Sequence, residues 1–429
     1  MSEIGNQLLK NSLVDENRSS VLFYGLKKLK NSFYDSVELS SNFLKSKISE
    51  NFSDEFSSPN ERSFEDRCLT TYNRSFGASY FEKSPDFEFL KSDEGKEYKI
   101  ILAYHYKFLF WFRFGHEPFE AACCKEKKCF MTDDRSVIPI EEKNHQRWIF
   151  YDMESPPHSS KNPQDFAGVF NWTMTYRRDS DIVVSYGNIY KKKDFAVEDF
   201  SNFENFSYSL DYVMKTKNKM VSWFVSNCNT PSRRGEYVAD LQKFIPVDIY
   251  GDCGPLKCDR GQGEQCYKKI EKEYKFYLSF ENSFCKDYVT EKFYGILNYY
   301  IIPVVRGAAD YASIAPPHSY INVEDFKTPK ELANYLIYLD KNDTAYMEYF
   351  SWKKDYFLMN RLGWLNHAIS FCTLCQKLHS DKTEKIYYNL TEWFLGEAQC
   401  SKGLNRLTFS SFIWLALILN LKYQFDFHH

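Results

Sequence analysis

The sequence has no continuous apolar run long enough to cross a bilayer, which takes about 20 residues of helix. Its best candidate, FIWLALIL at 412–419, is much too short. Residues 1–40 alternate polar and apolar with no continuous hydrophobic core, so no secretory signal peptide is visible there. Charge of one sign is also missing: the net charge is −3 over 429 residues. That balance gives no case for nucleic-acid or membrane-surface attraction through global charge. No internal repeat is evident, which argues against a solenoid or an array.

Cysteine, by contrast, is plentiful. There are 12, more than a typical cytosolic enzyme needs, and several fall in close groups: Cys123, Cys124 and Cys129; Cys253, Cys258 and Cys266; Cys372 and Cys375. Cys372-x-x-Cys375 could be half of a zinc site, but no second CxxC or nearby His pair completes a tetrahedral set. Disulfides in an oxidising compartment fit better. N-x-S/T triplets at Asn17, Asn51, Asn73, Asn171, Asn205, Asn342 and Asn389 point the same way, with Asn171, Asn205, Asn342 and Asn389 as the candidate glycan acceptors within the folded part. Aromatic residues make up 18% of the chain, enough for a large core and a sugar-stacking cleft, though composition does not separate the two.

Length and pattern predict two domains of ordinary size with appendages. Residues 1–95 read as a polar stem or disordered lead. Residues 96–205 carry strand-like runs at 98–106, 107–112 and 147–153, the last closed by Glu154-Ser155-Pro156-Pro157, whose prolines stop the strand. A linker is placed near 188–207. Residues 206–345 alternate strands (220–225, 247–251, 276–280, 319–323) with helices (234–244, 263–272, 329–339), which implies a parallel, doubly wound sheet. Residues 346–400 form a mixed C-terminal segment and 401–429 a tail without an assigned role.

The most informative stretch is 275–305, KFYLSFENSFCKDYVTEKFYGILNYYIIPVV. Its pattern predicts a buried strand over 276–280, a polar loop from Glu281, Asn282 and Ser283, a helix capped by Thr290, and a second strand over 301–305. Polar residues thus cluster where a strand stops and a helix begins, the edge at which open α/β sheets bind ligands. A carboxylate there can hold sugar hydroxyls while an ammonium neutralises a diphosphate, although Glu291 and Lys292 alone fit an ordinary surface pair equally well. The whole string, FYLSFENS followed by DYVTEK and PVV, resembles the donor-site signature of the α1,3-fucosyltransferases of glycosyltransferase family 10, which use GDP-fucose. YDMESPPHS at 151–159 resembles the acceptor-domain motif of the same family, and the likeness, of an invertebrate type, runs from about 97 to 400.

The resemblance implies a fold and a reaction. The fold is α/β of the GT-B kind, two Rossmann-like domains facing across a cleft, acceptor side first. The reaction is inverting transfer of L-fucose from GDP-fucose to a GlcNAc hydroxyl of N-glycans or Lewis-type chains. Glu154 would be the general base, since a half-buried carboxylate has a raised pKa; without the resemblance, it reads as a cap on the turn. Arg234, favoured over Arg233, and Lys292 would grip the departing diphosphate. Glu281, Asn282, Tyr288 and Glu291 would bind sugar and nucleotide hydroxyls. Tyr176, Arg177 and Arg178 would line the donor side, an ion-pair network with Asp179 and Asp181 being the equal alternative. Tyr250 would approach the guanine.

Asp179-Ser180-Asp181 has the letters of a metal-binding pair but lies in a segment the family does not use for metal. No obligatory cofactor or metal is therefore expected, a divalent cation being at most stimulatory. The family also implies that Cys372 and Cys375 pair with Cys129 and one of Cys123 or Cys124. It implies a Golgi-lumenal enzyme with an N-terminal membrane anchor; either that anchor is missing from the sequence or targeting differs. Between TDDRS and QRWIF the family carries an extra strand and helix where only 137–145 stands here. That shortening predicts a rearranged first domain with unpaired edges and a thinned core. Two alternatives follow: a non-catalytic relative that binds GDP-fucose or glycan, and a GT-B transferase with another donor.

Overall fold

The computed structural model describes residues 97–104, 115–116, 119, 124–132, 146–159, 167–194, 209–258, 263–359 and 363–401. The lead 1–95, the run 107–112, the bridge 137–145, Cys123, Asn205 and the tail after 401 lie outside these residues. Strands β1 (Lys99–Tyr104), β2 (Cys129–Thr132), β3 (Gln146–Asp152), β4 (Trp172–Thr175) and β5 (Ile182–Val183) form one sheet in the order β2-β1-β3-β4-β5, every pairing parallel. β2 and β3, which flank the shortened bridge, both pair with β1. Among the described residues the sheet therefore has no internal gap, and its outer strands are β2 and β5.

After β6 (Asn188–Lys191) come α1 (Leu210–Thr216), β7 (Lys219–Phe224), α2 (Arg234–Leu241), β8 (Val247–Tyr250), α3 (Gly263–Glu273), β9 (Tyr274–Phe280), α4 (Glu291–Leu297), β10 (Ile302–Arg306), β11 (Ile321–Asn322) and α5 (Pro329–Lys341). A second parallel sheet runs β11-β10-β9-β7-β8. All seven residues of β9 are buried, as befits a central strand covered on both faces. One face packs Phe276, Leu278 and Phe280 against α2 and α5, while Tyr274 and Tyr277 face Ile270 of α3 and Ile296 of α4. This two-sheet α/β architecture is that of the GT-B class.

The chain then returns to its beginning. α6 (Asp343–Glu348) leads to β12 (Tyr356–Met359) and α7 (Gly363–Ser380). β12 pairs antiparallel with β6, Leu358 opposite Ile189 and Phe357 opposite Tyr190. The expected linker at 188–207 is thus a strand at its start; the lysines that suggested a linker follow directly after the apolar pair. Phe371, Leu374 and Leu378 of α7 pack on one face of the first sheet with Ile149 and Tyr151. Phe150, pointing the other way, meets Phe170, Leu390, Trp393 and Phe394. Both faces of the first sheet are therefore closed by residues from the chain's far end.

Disulfides fasten that return. Cys124 joins Cys372 and Cys129 joins Cys375, across sequence separations of 248 and 246 residues. Cys228–Cys253, Cys258–Cys266 and Cys285–Cys400, pairings the sequence did not assign, are the other bridges among the described residues. The sulfurs of Cys129 and Cys375 lie with a His379 nitrogen within 4.8 Å of one another, but the two sulfurs are joined in a bridge, so the trio offers no thiolate to a metal. Among the described residues no helix is long and apolar enough to cross a membrane.

Removing the Cys129–Cys375 bridge with the double variant Cys129→Ser/Cys375→Ser should lower the thermal midpoint, at a loss of about 2–5 kcal/mol. Calorimetry against the parent checks this; an unchanged midpoint, or peptide mapping that finds both thiols free in the parent, contradicts the bridge.

Candidate active site

In both sheets the strands run parallel, so their C-terminal ends form two edges, and these edges meet. β9 stops at Glu281, which is fully buried. Its Oε1 accepts from the Thr290 backbone N–H at 2.8 Å and from the Thr290 hydroxyl at 3.0 Å. Lys292 Nζ lies 3.5 Å from Glu281 Oε2 and donates to Thr290 Oγ1 at 2.8 Å and Glu291 Oε1 at 3.1 Å. Burial on its own would lower the Lys292 pKa, but the carboxylates of Glu281 and Glu291 outweigh it and raise the pKa, so the ammonium is held charged. Burial raises the Glu281 pKa, against the pull of Lys292 and the Thr290 donors. Thr290 itself caps α4.

The loop after β7 brings in the second cation. Ser232 donates its N–H to Asn282 O at 3.1 Å and its hydroxyl to Glu281 O at 2.7 Å. Arg306 donates to Ser232 O at 2.9 Å. With the loop fixed on the β9 and β10 ends, the two arginines that start α2 diverge. Arg233, in the left-handed region at φ 51°, points out and pairs with Glu236. Arg234 points in, 3% exposed, with Nη1 on Phe280 O at 2.8 Å and Nη2 on Asn227 O at 3.1 Å. Its Nε is buried without a hydrogen-bond partner among the described residues, as are Asn282 Oδ1, His158 Nε2 and the Tyr311 hydroxyl. Buried polar atoms are nearly always paired, so four orphans around one strand end mark a place built for a polar ligand.

Glu154 arrives from the first sheet, two residues past β3. The Tyr288 hydroxyl donates to its Oε2 at 3.3 Å, and next to it the Ser155 hydroxyl donates to Ser283 Oγ at 2.9 Å. Burial raises the Glu154 pKa; Lys292 and the Tyr288 hydroxyl lower it and Glu291 raises it, for a net upward shift. Glu154 and Lys292 thus act on one another across the seam. His158, on the same turn, has its pKa lowered first by burial and then by Arg234 and Lys292, which puts its ring among the cations.

The other expected site residues divide. Tyr288 is buried against Tyr176, ring centroids 4.9 Å apart. Arg178 crosses from the first sheet to the second, binding Asp287 Oδ1 at 3.0 Å and Ser313 Oγ at 2.7 Å. Arg177 takes the alternative reading: fully buried, it pairs with Asp179 and lies 4.3 Å from the Trp393 ring centroid. Asp181 pairs with Lys385. Glu291 is exposed and turned to Lys292. Tyr250 corrects the expectation. Its ring is buried in the core with Ile270 and Tyr277 and its hydroxyl is bonded to Tyr274 at 2.9 Å. Sequence reasoning passed over His158 and Asp152, although both stand in the string YDMESPPHS. Of the sequons, Asn171 has its amide bonded to Trp148 N and Lys385 O, Asn342 caps α6, and Asn389 is exposed.

Comparison with known proteins agrees over most of the described region. A family model described as "Glycosyltransferase family 10 (fucosyltransferase) C-term" matches residues 214–393, and one described as "Fucosyltransferase, N-terminal" matches 137–187. The chain is 37% identical over 310 residues to glycoprotein 3-α-L-fucosyltransferase A of Drosophila melanogaster, an alignment covering 67% of this chain and 58% of that protein. It is 34% identical over 297 residues to α-(1,3)-fucosyltransferase fut-1 of Caenorhabditis elegans, covering 63% and 65%. The chain therefore spans less than two thirds of the length of these relatives. A crystal structure of an α1,3-fucosyltransferase with GDP-fucose aligns at a TM-score of 0.44 and 19% identity, over 71% of this chain and 94% of that one.

Because the Tyr288 hydroxyl stabilises the Glu154 carboxylate, Tyr288→Phe should let the Glu154 pKa rise further. An NMR titration of labelled glutamate carboxylates reads this directly; a midpoint that stays or falls rules the contact out.

Proposed function

The chain belongs to glycosyltransferase family 10, the fucosyltransferases, and from that premise we propose that it moves L-fucose from GDP-fucose to a GlcNAc hydroxyl, in α1,3 linkage, on N-glycans or Lewis-type chains. One observation carries the reading. A raised-pKa carboxylate from one sheet, Glu154, meets the Tyr288 hydroxyl and the field of Lys292 from the other, and His158 on the same turn feels both Lys292 and Arg234.

In the proposed reaction Glu154 accepts the proton of the acceptor hydroxyl as its oxygen attacks the anomeric carbon. The bond from that carbon to the GDP oxygen breaks, and inversion follows from attack opposite the leaving group. Arg234, with three guanidinium donors beyond the two spent on backbone carbonyls, and the charged Lys292 offset the negative charge that gathers on the diphosphate. Asn282 Oδ1, His158 Nε2 and the Tyr311 hydroxyl are free to meet sugar or nucleotide groups. Charge neutralisation by two side chains leaves no step that requires a divalent cation. The disulfide set fits an oxidising lumen, and the Golgi lumen is the compartment we propose.

Purified protein should release GDP from GDP-fucose in the presence of a GlcNAc-terminated acceptor, and EDTA should leave that rate unchanged. Glu154→Gln should reduce transfer by about 10²–10⁴-fold while calorimetry finds donor binding intact. The rate should rise with pH as Glu154 loses its proton, since only the carboxylate accepts one. GDP binding with no turnover over an acceptor panel would make the chain a binding relative, and full activity in Glu154→Gln would remove the assignment of the base.

A further inference from the structure

The group that holds Glu154 in place is itself a carboxylate. Asp152 ends β3 and is 5% exposed. Its Oδ1 accepts the backbone N–H of Glu154 at 2.8 Å, and its Oδ2 accepts the hydroxyl of Ser159 at 2.7 Å. Between those two contacts lies the turn Ser155–His158, closed on itself by His158 N–H to Ser155 O at 2.8 Å. Asp152 therefore clamps the turn from both sides, while Ser155 at its start is tied to Ser283 across the seam.

The electrostatic surroundings of Asp152 are unusual for so buried an acid. Burial pushes its pKa up to about 6, the Ser159 hydroxyl and Glu154 N–H pull it down, and the charge of Glu154 pushes it up. None of these influences comes from a lysine or arginine. The other titratable groups that feel it are the phenols of Tyr151 and Tyr176. Tyr176 is 4% exposed, and its hydroxyl has no hydrogen-bond partner among the described residues. Glu154 in turn is faced by Lys292, Glu291 and Tyr288 from the second sheet and acts on Tyr176 and Tyr186 from the first.

We propose that Asp152 is the positioning residue of Glu154: one buried carboxylate holds both ends of the turn that carries the base. The inference rests on Glu154 being the proton acceptor, as argued above. Charge and clamp are separable by substitution. Asparagine keeps an oxygen for the Glu154 N–H and can donate to Ser159 Oγ, so Asp152→Asn removes the charge and preserves the clamp. Alanine removes both. The charge of Glu154 raises the Asp152 pKa, so Glu154→Gln should move the Asp152 titration to lower pH.

The test uses the full chain and two readouts. In Asp152→Asn, which keeps both contacts of the clamp, kcat should stay near that of the parent, and in Glu154→Gln the NMR titration midpoint of Asp152 should move to lower pH. In Asp152→Ala, kcat should fall roughly ten- to hundredfold through misplacement of the base, with the affinity for GDP unchanged because Arg234 and Lys292 keep their contacts. An Asp152 midpoint in Glu154→Gln that matches the parent overturns the contact between the two carboxylates, and a parent-like kcat in Asp152→Ala overturns the clamp. A purely structural role would lower the thermal midpoint of both Asp152 variants and leave kcat alike in the two. If Asp152→Ala does not fold, Ser159→Ala, which opens one end of the clamp, takes its place with the same readout. If the parent shows no transfer, the functional reading fails, while the NMR shift still reports on Asp152.

Discussion

Much of the second domain's edge depends on how Glu281 is compensated. A carboxylate with no exposure cannot remain charged in an apolar core without partners. Here it has the N–H and hydroxyl of Thr290 and the ammonium of Lys292. Removing one partner of such a buried set costs about 3–5 kcal/mol, because the other charge stays behind. The consequence is geometric as much as energetic. Glu281 pins the end of β9 to the start of α4, so the loop between them is held at both ends. Its middle is held too: Cys285 is bridged to Cys400, Lys286 N–H donates to Ala398 O, and Arg178 grips Asp287. A loop restrained at that many points can present Tyr288 to Glu154 with little freedom left to lose.

The same restraint explains why the chain's far end belongs to its beginning. Among the described residues, α7 and the segment after it cover the two faces of the first sheet. The two long-range disulfides and the Arg177–Trp393 stack fasten those covers. The clasp at Cys285–Cys400 then carries the restraint on to the second sheet. The site is consequently formed where separate parts of the sequence meet, around residues 152–159, 227–234 and 281–292, the last of them clasped by 398–400.

The sequence made one half of this arrangement far easier to read than the other. Strand β9, helix α4 and strand β10 follow from local signals: an aromatic and aliphatic run, a threonine cap, and a second apolar run containing a proline. Glu154 and Lys292 could be singled out because each sits at a strand or helix end within a recognisable string. What could not be read were contacts between strings. Ser155 with Ser283 spans 128 positions, and nothing in the spacing of either serine announces the other. Three of the disulfides were missed for the same reason, since pairing is not contained in cysteine spacing. Tyr250 was misjudged because a strand-end position gives the edge but not the face. β6 was taken for a linker because a four-residue strand owes its stability to β12, some 160 residues later.

The electrostatics of the crevice pose a conflict that its side chains resolve. A cation strong enough to steady a leaving diphosphate, placed near a carboxylate, acidifies that carboxylate and makes it a poor base. Lys292 does lower the Glu154 pKa, yet the net shift of Glu154 is upward. Two features tip the balance. Glu281 and Glu291 lie on either side of Lys292, so much of its field is spent close to its own ammonium before it reaches the first sheet. Burial of Glu154 works in the opposite sense, as does the charge of Glu291. A carboxylate and an ammonium can therefore share one crevice while each keeps the protonation state its task requires, and the two extra acids beside Lys292 are as much a part of that chemistry as the cation they surround.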